Sequence, residues 1–396
     1  MVVTARAEHV GSLLRPRGLL EARRAYARGE FDDAAFKRVE DEAVREVVAL
    51  QTGLAFPVVT DGELRRESFQ SDLCAAVDGF EGVTIDAWLW GDWHSGEVGN
   101  LRMDRPKGLG VVAPLRPRRT VAAEEFTFLR GLTDAQTKVT LPSPSMLSSL
   151  WDPQRSREAY PTLDGFLADV VAILSDTVRE LRRLGCTYVQ LDAPHYPLLM
   201  DPGWRAFYSS RGWTADRWLG YGLELDNALI DAAPDLTFGF HLCRGNQGSR
   251  WLVAGGYDAI AEPVFSTIRA QRLLLEYDDE RSGGFGPLRH VRDDTVAVLG
   301  LVTTKTPRRE TPQELGRPGA TGGTAPALRA ARRGDPVRVF DLGGRERDHG
   351  RRPAPQAGDP RPRRPGHLGL RAGQAGSCPD RKVRDRTKWP PGRRNR

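Results

Sequence analysis

The chain has 396 residues, which is enough for one large domain or two ordinary ones. No apolar run approaches the roughly 20 residues that span a membrane, and four scattered cysteines argue against a disulfide scaffold. The net charge of +6 hides two opposite parts: residues 316–396 hold 21 of the 58 lysines and arginines but 7 of the 52 acidic residues, so this segment carries +14 and residues 1–315 carry −8.

The positive net charge therefore comes from the C-terminal segment. It gives no reason to assign nucleic-acid binding to the main part of the chain. The N-terminal residues also lack the apolar segment of a secretory signal. We expect a cytoplasmic protein that binds neither nucleic acid nor membranes. Its oligomeric state is left open.

Up to about residue 315 the sequence alternates between apolar runs and segments with helical periodicity. The runs predict buried parallel strands near 4–10, 56–60, 137–141, 187–191, 236–242, 272–277 and 297–303. Helical spacing predicts helices over 19–28, 33–53, 163–184 and 213–233. Strands alternating with helices indicate an α/β fold, and seven strands predict a TIM (β/α)8-type barrel whose last strand and helix are missing or disordered.

Two segments depart from this alternation. Residues 78–120 contain three tryptophans and several Gly and Pro residues, which predict an inserted hairpin over the mouth of the barrel. Residues 316–396 are rich in Arg, Gly and Pro without apolar periodicity, which predicts a disordered basic tail. A nucleic-acid-binding arm is the alternative, but the tail shows no interleaved aromatic residues and no DNA-binding motif.

Candidate metal ligands stand at the ends of two neighbouring predicted strands. His241 and Cys243 end one strand, and Glu276 ends the next. Imidazole, thiolate and carboxylate are ligand types that hold zinc in a site open to a substrate. The residues alone leave a buried structural pair and a salt-bridge glutamate as alternatives.

Six short strings occur in one order along residues 1 to about 315. They are HVGSLLRP (9–16), TDGELRR (60–66), QLDAP (190–194), HLCRGN (241–246), LEYDD with RSGGF (275–285) and GLVTTKTP (300–307). Together they resemble the catalytic domain of cobalamin-independent methionine synthases, and more closely the short single-barrel relatives. The resemblance implies zinc-dependent methyl transfer from 5-methyltetrahydrofolate, or its polyglutamate, to homocysteine, forming methionine.

The resemblance also assigns roles to individual positions. It implies that His241, Cys243 and Glu276 bind Zn²⁺ and that Lys305 stands where the large methionine synthases carry a catalytic histidine.

It further implies substrate contacts on other strands. Gly11 and Ser12 would bind the carboxylate of the amino acid, and Glu63 and Asp192 would hold its ammonium group. A turn at Gly11 and helix capping by the two acids are the plain alternatives. The tryptophans at 88, 90 and 93 could stack on a pterin, although core packing is the simpler explanation.

The fourth zinc ligand of the family, a cysteine about thirty residues after Lys305, has no counterpart. The sequence there reads RRGDPVRVFDLGG (332–344), and Cys378 lies elsewhere. Permitted codons read one base later turn residues 330–343 into QLAVGTPCGFSTSV, an apolar strand with the expected cysteine. We hypothesise that the residues after about 315 are an out-of-frame translation, and we expect weak or no turnover from the chain as written.

Two other enzyme classes compete with this interpretation. A related zinc enzyme could alkylate another thiol such as coenzyme M, but Glu63 and Asp192 suit an amino-acid substrate because a sulfonate does not need carboxylates. A decarboxylase of the uroporphyrinogen type shares the barrel but requires no metal, so the His-x-Cys and Glu set counts against it.

Overall fold

The structure, a computed structural model, describes residues 7–66, 71–81, 89–105, 110–311 and 340–342. All of them belong to one compact unit, Met1–Asp348. The strands in chain order are β1 (Ala7–Glu8), β2 (Val58–Val59), β3 (Val77–Glu81), β4 (Gly91–Trp93), β5 (Leu101–Met103), β6 (Gly110–Pro117), β7 (Gln136–Thr137), β8 (Val139–Pro142), β9 (Tyr188–Asp192), β10 (Thr237–Leu242), β11 (Arg272–Glu276), β12 (Val296–Val302) and β13 (Phe340–Leu342).

The helices surround these strands in the sequence. They are α1 (Arg17–Ala27), α2 (Asp33–Gly53), α3 (Ser71–Ala76), α4 (Val121–Arg130), α5 (Leu163–Arg183), α6 (His195–Leu198), α7 (Pro202–Ser209), α8 (Ala215–Arg217), α9 (Leu223–Asp231) and α10 (Asp258–Thr267). A π-helical turn, Trp218–Gly222, joins α8 to α9, and 3-10 turns cover Pro144–Leu150, Glu280–Ser282 and Gly286–His290.

Parallel strands form the centre of an α/β fold, as predicted. Seven of them make one parallel sheet in the order β1-β13-β12-β11-β10-β9-β8. β2 pairs in parallel with β7, which is separated from β8 only by Lys138. Each of the seven predicted strands overlaps an observed one.

The structure has a strand where the last strand is predicted to be missing or disordered. Phe340–Leu342 forms β13, which lies between β12 and β1 and runs parallel to both. Its ladder with β12 shifts register between Leu299 and Val302, so the pairing is short and irregular. The rest of the predicted tail, residues 316–339 and 343–396, lies outside the described residues.

A buried charged network links β1 to the interior of the sheet. The Glu8 carboxylate accepts hydrogen bonds from Arg272 at 2.6 Å, Lys138 at 2.8 Å and Tyr188 at 3.0 Å. Burial tends to raise the pKa of Glu8, but the two cations outweigh it and hold this pKa below its usual range. Because the partners come from β9, β11 and the residue between β7 and β8, strands distant in the chain meet around one carboxylate.

In helix α5, a capping residue and the spacing of the apolar residues explain why the sequence forms a helix with one buried face. The Thr162 side chain caps it by accepting a hydrogen bond from the Gly165 amide at 3.1 Å. Its buried residues recur at three- and four-residue spacing, which gives one apolar face against the sheet: Leu163, Phe166, Leu167, Val170, Leu174, Val178 and Leu181. Asp32 caps α2 in the same manner, through the Ala35 amide at 2.6 Å. Both helices match their predicted bounds within a residue.

Two antiparallel pairs lie between β2 and α4, where the inserted hairpin is predicted. β3 pairs with β6, and β4 pairs with β5. His94 makes an antiparallel bridge to Trp251, in the segment that follows β10. Among the described residues, no helix is both long and apolar enough to cross a membrane.

Candidate functional site

The predicted site residues lie at the C-terminal ends of the parallel strands. Asp192 is the last residue of β9, and His241 in β10 is its register partner. Cys243 directly follows β10, Glu276 is the last residue of β11, and Lys305 follows β12. The strands are parallel, so their C-terminal ends lie side by side. Five predicted residues from four strands therefore share one end of the sheet.

At this end of the sheet, the Glu276 carboxylate is surrounded by three positively charged residues or backbone donors. Its carboxylate accepts hydrogen bonds from the Arg244 amide at 2.6 Å and from the Arg281 guanidinium at 2.9 Å, and the Lys305 ammonium lies 3.7 Å away. Burial by itself would raise the pKa of Glu276. The charges of Lys305, Arg281 and Arg244 outweigh the burial and lower this pKa to about 2, so Glu276 is ionised at neutral pH.

His241 and Cys243 are both neutral at pH 7. Burial lowers the pKa of His241 to about 4, and the nearby Glu276 charge offsets this only in part. Burial raises the pKa of the Cys243 thiol to about 12, and Glu276 raises it further. The Nδ1 atom of His241 is buried and has no hydrogen-bond partner among the described residues. Neutral imidazole is the form of histidine that binds metals.

These three side chains are not arranged as a finished metal site. Within the described ranges, no group of three or more His, Cys, Asp or Glu side chains is placed to hold a metal ion. The donor types nevertheless suit zinc, and the partnerless Nδ1 of His241 is an orphaned buried atom that a metal would satisfy. Each Glu276 oxygen already accepts one hydrogen bond, from Arg244 or Arg281, and keeps a second lone pair that could bind a metal.

A second cluster surrounds the Glu63 carboxylate. Ser12 donates its hydroxyl hydrogen to Glu63 Oε2, and Thr140 donates to Oε1 at 2.7 Å. A Cβ atom added to Gly11 would lie 2.7 Å from Glu63 Oε1 and 2.9 Å from Thr140 Cγ2, so a larger residue would displace these side chains. Glu63 itself has a φ of +55°, a left-handed conformation that is unusual for a non-glycine residue. The structure thus brings Gly11, Ser12 and Glu63 together.

Asp192 connects the two clusters. Its Oδ1 atom accepts a hydrogen bond from the side-chain Nε2 of Gln190 at 2.7 Å. Burial raises the pKa of Asp192 to about 8, with the Glu63 charge as the next contribution. The Asp192 charge in turn raises the pKa of Cys243. The two carboxyl groups and the thiol therefore share one electrostatic environment.

Comparison with known proteins places the chain in a family. It is 32% identical to the Bacillus subtilis protein YxjH over 323 residues, which cover 79% of this chain and 81% of YxjH. It is 33% identical to Bacillus subtilis YxjG over 324 residues, again 79% and 81% of the two chains. The chain belongs to the YxjH and YxjG family. Both relatives are named as uncharacterised proteins, and no protein-family model matches the chain.

This YxjH-like chain is also similar to methionine synthases, which confirms the resemblance seen in the sequence. The methionine synthase of Pyrococcus abyssi is 23% identical over 309 residues, 78% of each chain. A Listeria monocytogenes structure assigned as a vitamin-B12-independent methionine synthase superposes with a TM-score of 0.62 at 24% identity, covering 87% of this chain and 92% of that one. A B12-independent methionine synthase from Shewanella, in complex with selenomethionine, gives a TM-score of 0.60 at 17% identity, covering 86% and 90%. The structural similarity shows a shared α/β fold.

Several polar residues at the site of the YxjH-like chain were not predicted. Arg244 and Arg281 stand within the recognised strings, next to predicted ligands, so their position was a usable signal. Thr140 and Gln190 are register partners on β8 and β9 and contact the two predicted carboxylates. Gln190 belongs to a recognised string, whereas Thr140 lies in a plain apolar run that carries no such signal.

Two of the three tryptophans of the inserted segment are packed. Trp93 is 3% exposed, and Trp90 contacts the rings of Trp204 and Phe207 with centroids 4.8 and 4.9 Å away. Residue 88 lies outside the described residues. Core packing therefore accounts for Trp90 and Trp93, as the simpler explanation expected.

Proposed function

We propose that this protein transfers a methyl group to the thiol of homocysteine, forming methionine. One observation carries the proposal: a pair of carboxyl groups, Glu63 and Asp192, adjoins a His, Cys and Glu set at the same end of the sheet. The carboxyl pair suits the ammonium group of an amino acid, and the other set suits a metal that binds its thiol. Methionine synthases among the similar proteins supply the reaction.

We also propose that the sheet closes as an eight-stranded barrel. No ladder joins β1 to β2 within the described residues, but two bonds link the segments that follow them. The Leu13 amide donates to the Gly62 carbonyl at 2.9 Å, and the Thr60 hydroxyl donates to the Gly11 carbonyl at 2.9 Å. Together with the β2 and β7 pair, these contacts support a continuous ring of strands.

Zinc is the metal that we propose for His241, Cys243 and Glu276. Bound zinc would lower the pKa of the substrate thiol and stabilise its thiolate form. The protein contributes a neutral imidazole, a carboxylate that stays ionised, and a thiol whose burial keeps it protonated in the absence of a cation. Binding of the metal should therefore release the Cys243 proton.

The amino-acid end of homocysteine is proposed to bind at Gly11, Ser12, Glu63 and Asp192. A substrate ammonium between the two carboxyl groups would favour their ionised forms and offset the burial that raises the pKa of Asp192. The Ser12 hydroxyl now donates to Glu63, so it would have to rotate to donate to the substrate carboxylate. The Gly11 amide is the second donor implied by the family.

Lys305 is proposed as the group that assists the methyl donor. Its ammonium lies at the same end of the sheet, 3.2 Å from the Thr304 hydroxyl and 3.7 Å from Glu276. A lysine there can donate a proton to the departing nitrogen of methyltetrahydrofolate or hold an anionic part of the donor. The large methionine synthases carry a catalytic histidine at this position, and a lysine differs from it in charge and reach.

The fourth zinc ligand is part of the out-of-frame hypothesis. Cys378 lies outside the described residues, and the expected position near residue 337 is a valine. Three protein ligands can hold catalytic zinc, but the family uses a fourth. We propose weak turnover for the chain as written and full turnover for a chain with the restored frame.

The test is a methyl-transfer assay on zinc-loaded protein. Homocysteine and coenzyme M are each supplied with 5-methyltetrahydrofolate or its triglutamate, and methylated products are measured by mass spectrometry. Zinc-dependent methionine formation, faster in the frame-restored chain, is the expected result. Methylation of coenzyme M alone, or equal product after zinc removal with a chelator, would overturn the proposal.

A further inference from the structure

The Thr140 hydroxyl lies between a buried arginine and the Glu63 carboxylate. Arg66 Nη1 is 3.0 Å from Thr140 Oγ1, and the same hydroxyl is 2.7 Å from Glu63 Oε1. A guanidinium can only donate hydrogen bonds, so the hydroxyl accepts from Arg66 and gives its single hydrogen to Glu63. The direction of both bonds is therefore fixed, and Glu63 Oε1 is the acceptor at the end.

Arg66 is itself held firmly. Its Nη2 and Nε atoms both donate to Glu125 Oε2, at 2.7 and 3.0 Å, and its Nη1 atom donates to the Thr140 carbonyl at 3.0 Å. Arg66, Glu125 and Thr140 are 3%, 5% and 3% exposed. The dry environment strengthens each of these charge-assisted bonds.

The backbone of the segment that carries Glu63 is also held by two arginines from the N-terminal part of the chain. Arg15 donates to the Arg66 carbonyl at 2.9 Å, and Arg23 donates to the Leu64 and Arg66 carbonyls at 2.9 and 3.1 Å. This bonding holds Glu63 in its left-handed backbone conformation, which a non-glycine residue adopts at a cost.

We propose that Thr140, backed by Arg66 and Glu125, is a positioning residue that orients the Glu63 carboxylate toward the substrate ammonium. The inference rests on the proposed function, which assigns the ammonium to Glu63. Thr140 reaches the substrate only through Glu63, and its role is to set how strongly the site prefers a thiol that carries an amino group over one that does not.

The experiment measures that preference by calorimetry on the zinc-loaded full chain. The two ligands are homocysteine and 4-mercaptobutyrate, which keeps the thiol and carboxylate but lacks the ammonium. Thr140→Val removes the hydroxyl while keeping the branched shape, and Thr140→Ser restores it. Loss of a hydrogen bond to a charged group should lower the preference for homocysteine about tenfold in Thr140→Val. Thr140→Ser should stay within roughly twofold of the parent chain.

Thr295→Val is the matched control. Thr295 is a buried threonine that precedes β12, at the end of the sheet opposite the site, and its hydroxyl donates to the Ala270 carbonyl at 3.1 Å. It should leave the preference unchanged. If thermal melting shows that Thr140→Val does not fold, Thr140→Ala provides the same measurement.

The results distinguish the positioning role of Thr140 from the assignment of the substrate ammonium to Glu63. A parent chain that prefers homocysteine, together with a Thr140→Val variant that keeps this preference, would overturn the positioning role alone. A parent chain that binds both ligands equally would overturn the assignment of the ammonium to Glu63, and the positioning role with it. Loss of preference in Thr295→Val as well would show a general effect of threonine removal and would also overturn the inference.

Discussion

Cys243 is the residue whose environment contrasts most with its proposed role. A zinc ligand must be a thiolate, yet burial and the Glu276 charge raise the pKa of this thiol to about 12. A cation bound beside it would reverse the balance. We predict that cobalt, substituted for zinc, gives a thiolate-to-metal absorption band in the parent chain and that Cys243→Ser abolishes this band.

Cys74→Ser is the control for that measurement. Cys74 is a partly exposed cysteine that lies on α3, away from the proposed ligands in the sequence. The band should persist in this variant. A band that survives Cys243→Ser and disappears in Cys74→Ser would remove Cys243 from the metal site.

The residues of the site were predictable to different degrees. His241, Cys243 and Glu276 could be found because ligand-type residues stood at strand ends and within recognised strings. Thr140 could not, and Arg66 ends the recognised string 60–66 but gave no sign of its partners. Arg66 stands 74 residues from Thr140 and 59 residues from Glu125, and each is an ordinary residue type in its own segment. Their importance arises only when the sheet brings these segments together.

At the scale of elements, the segment after β10 depends on Gly245. This glycine has a φ of +86°, and a Cβ atom there would lie 2.8 Å from the Trp93 ring. Gly245→Ala should therefore strain the backbone and push on the buried tryptophan. We predict a loss of stability on the order of 2 kcal/mol or more and weaker cobalt binding, measured by chemical unfolding and by titration.

Gly248→Ala is matched to it within the same segment. Gly248 also has a positive φ, of +53°, but its added Cβ would meet only the end of the Arg250 side chain at 3.2 Å. A smaller loss, of about 1 kcal/mol, and unchanged cobalt binding are expected. Equal effects of the two substitutions would show that packing of Trp93 against this segment does not support the site.

A buried carboxyl group joins two other elements, the 3-10 turn Pro144–Leu150 and α6, and should make stability depend on pH. Asp226 on α9 accepts hydrogen bonds from Ser143 at 2.6 Å, Tyr196 at 2.7 Å and Ser145 at 3.1 Å. Burial raises the pKa of Asp226 to about 6, although these bonds oppose it. Burial keeps the pKa of neighbouring His195 well below its usual range, so His195 stays neutral as Asp226 titrates.

The raised pKa means that the folded protein binds the Asp226 proton more tightly than the unfolded chain does. The stability from this group is therefore complete below about pH 4 and is lost as pH rises through about 6, a change on the order of 3 kcal/mol. Urea unfolding from pH 4 to 7 should show a shallower decline in Asp226→Asn than in the parent chain, because other buried carboxyl groups such as Asp192 also have raised pKa values and still contribute. The exposed Asp216→Asn control should keep the decline, and an unchanged slope in Asp226→Asn would contradict the assignment.

Sequence periodicity predicted most of the helices and strands, and the exceptions have physical causes. The predicted helix over 213–233 divides into α8, a π-helical turn and α9. A Cβ on Gly222 would lie 3.3 Å from both the Trp218 ring and the Tyr196 hydroxyl. Glycine therefore lets these side chains pack close to the helix backbone, which sequence periodicity cannot predict. The sequence did not predict β13, because the residues around it are polar and arginine-rich. It is a strand because it pairs with β1.

At the scale of the whole molecule, β13 decides whether the sheet is complete. It fills the gap between β12 and β1, but it contributes only three residues and a shifted register. An in-frame last strand of the kind spelled by the alternative codons would be longer and apolar. The structure therefore places a strand where the family resemblance requires one, with a sequence that is poorly suited to it.

Truncation tests how much this strand contributes. A chain ending at residue 348 keeps β13, whereas a chain ending at residue 311 exposes the edges of β1 and β12. Unpaired edges pair with other molecules, so we predict that the shorter chain self-associates in light scattering and melts at a lower temperature. The frame-restored chain should melt above both, because a longer apolar strand buries more surface. Identical melting and a monodisperse state for the two truncated chains would mean that β13 as written adds nothing to the sheet. A frame-restored chain no more stable than the chain as written would count directly against the out-of-frame hypothesis.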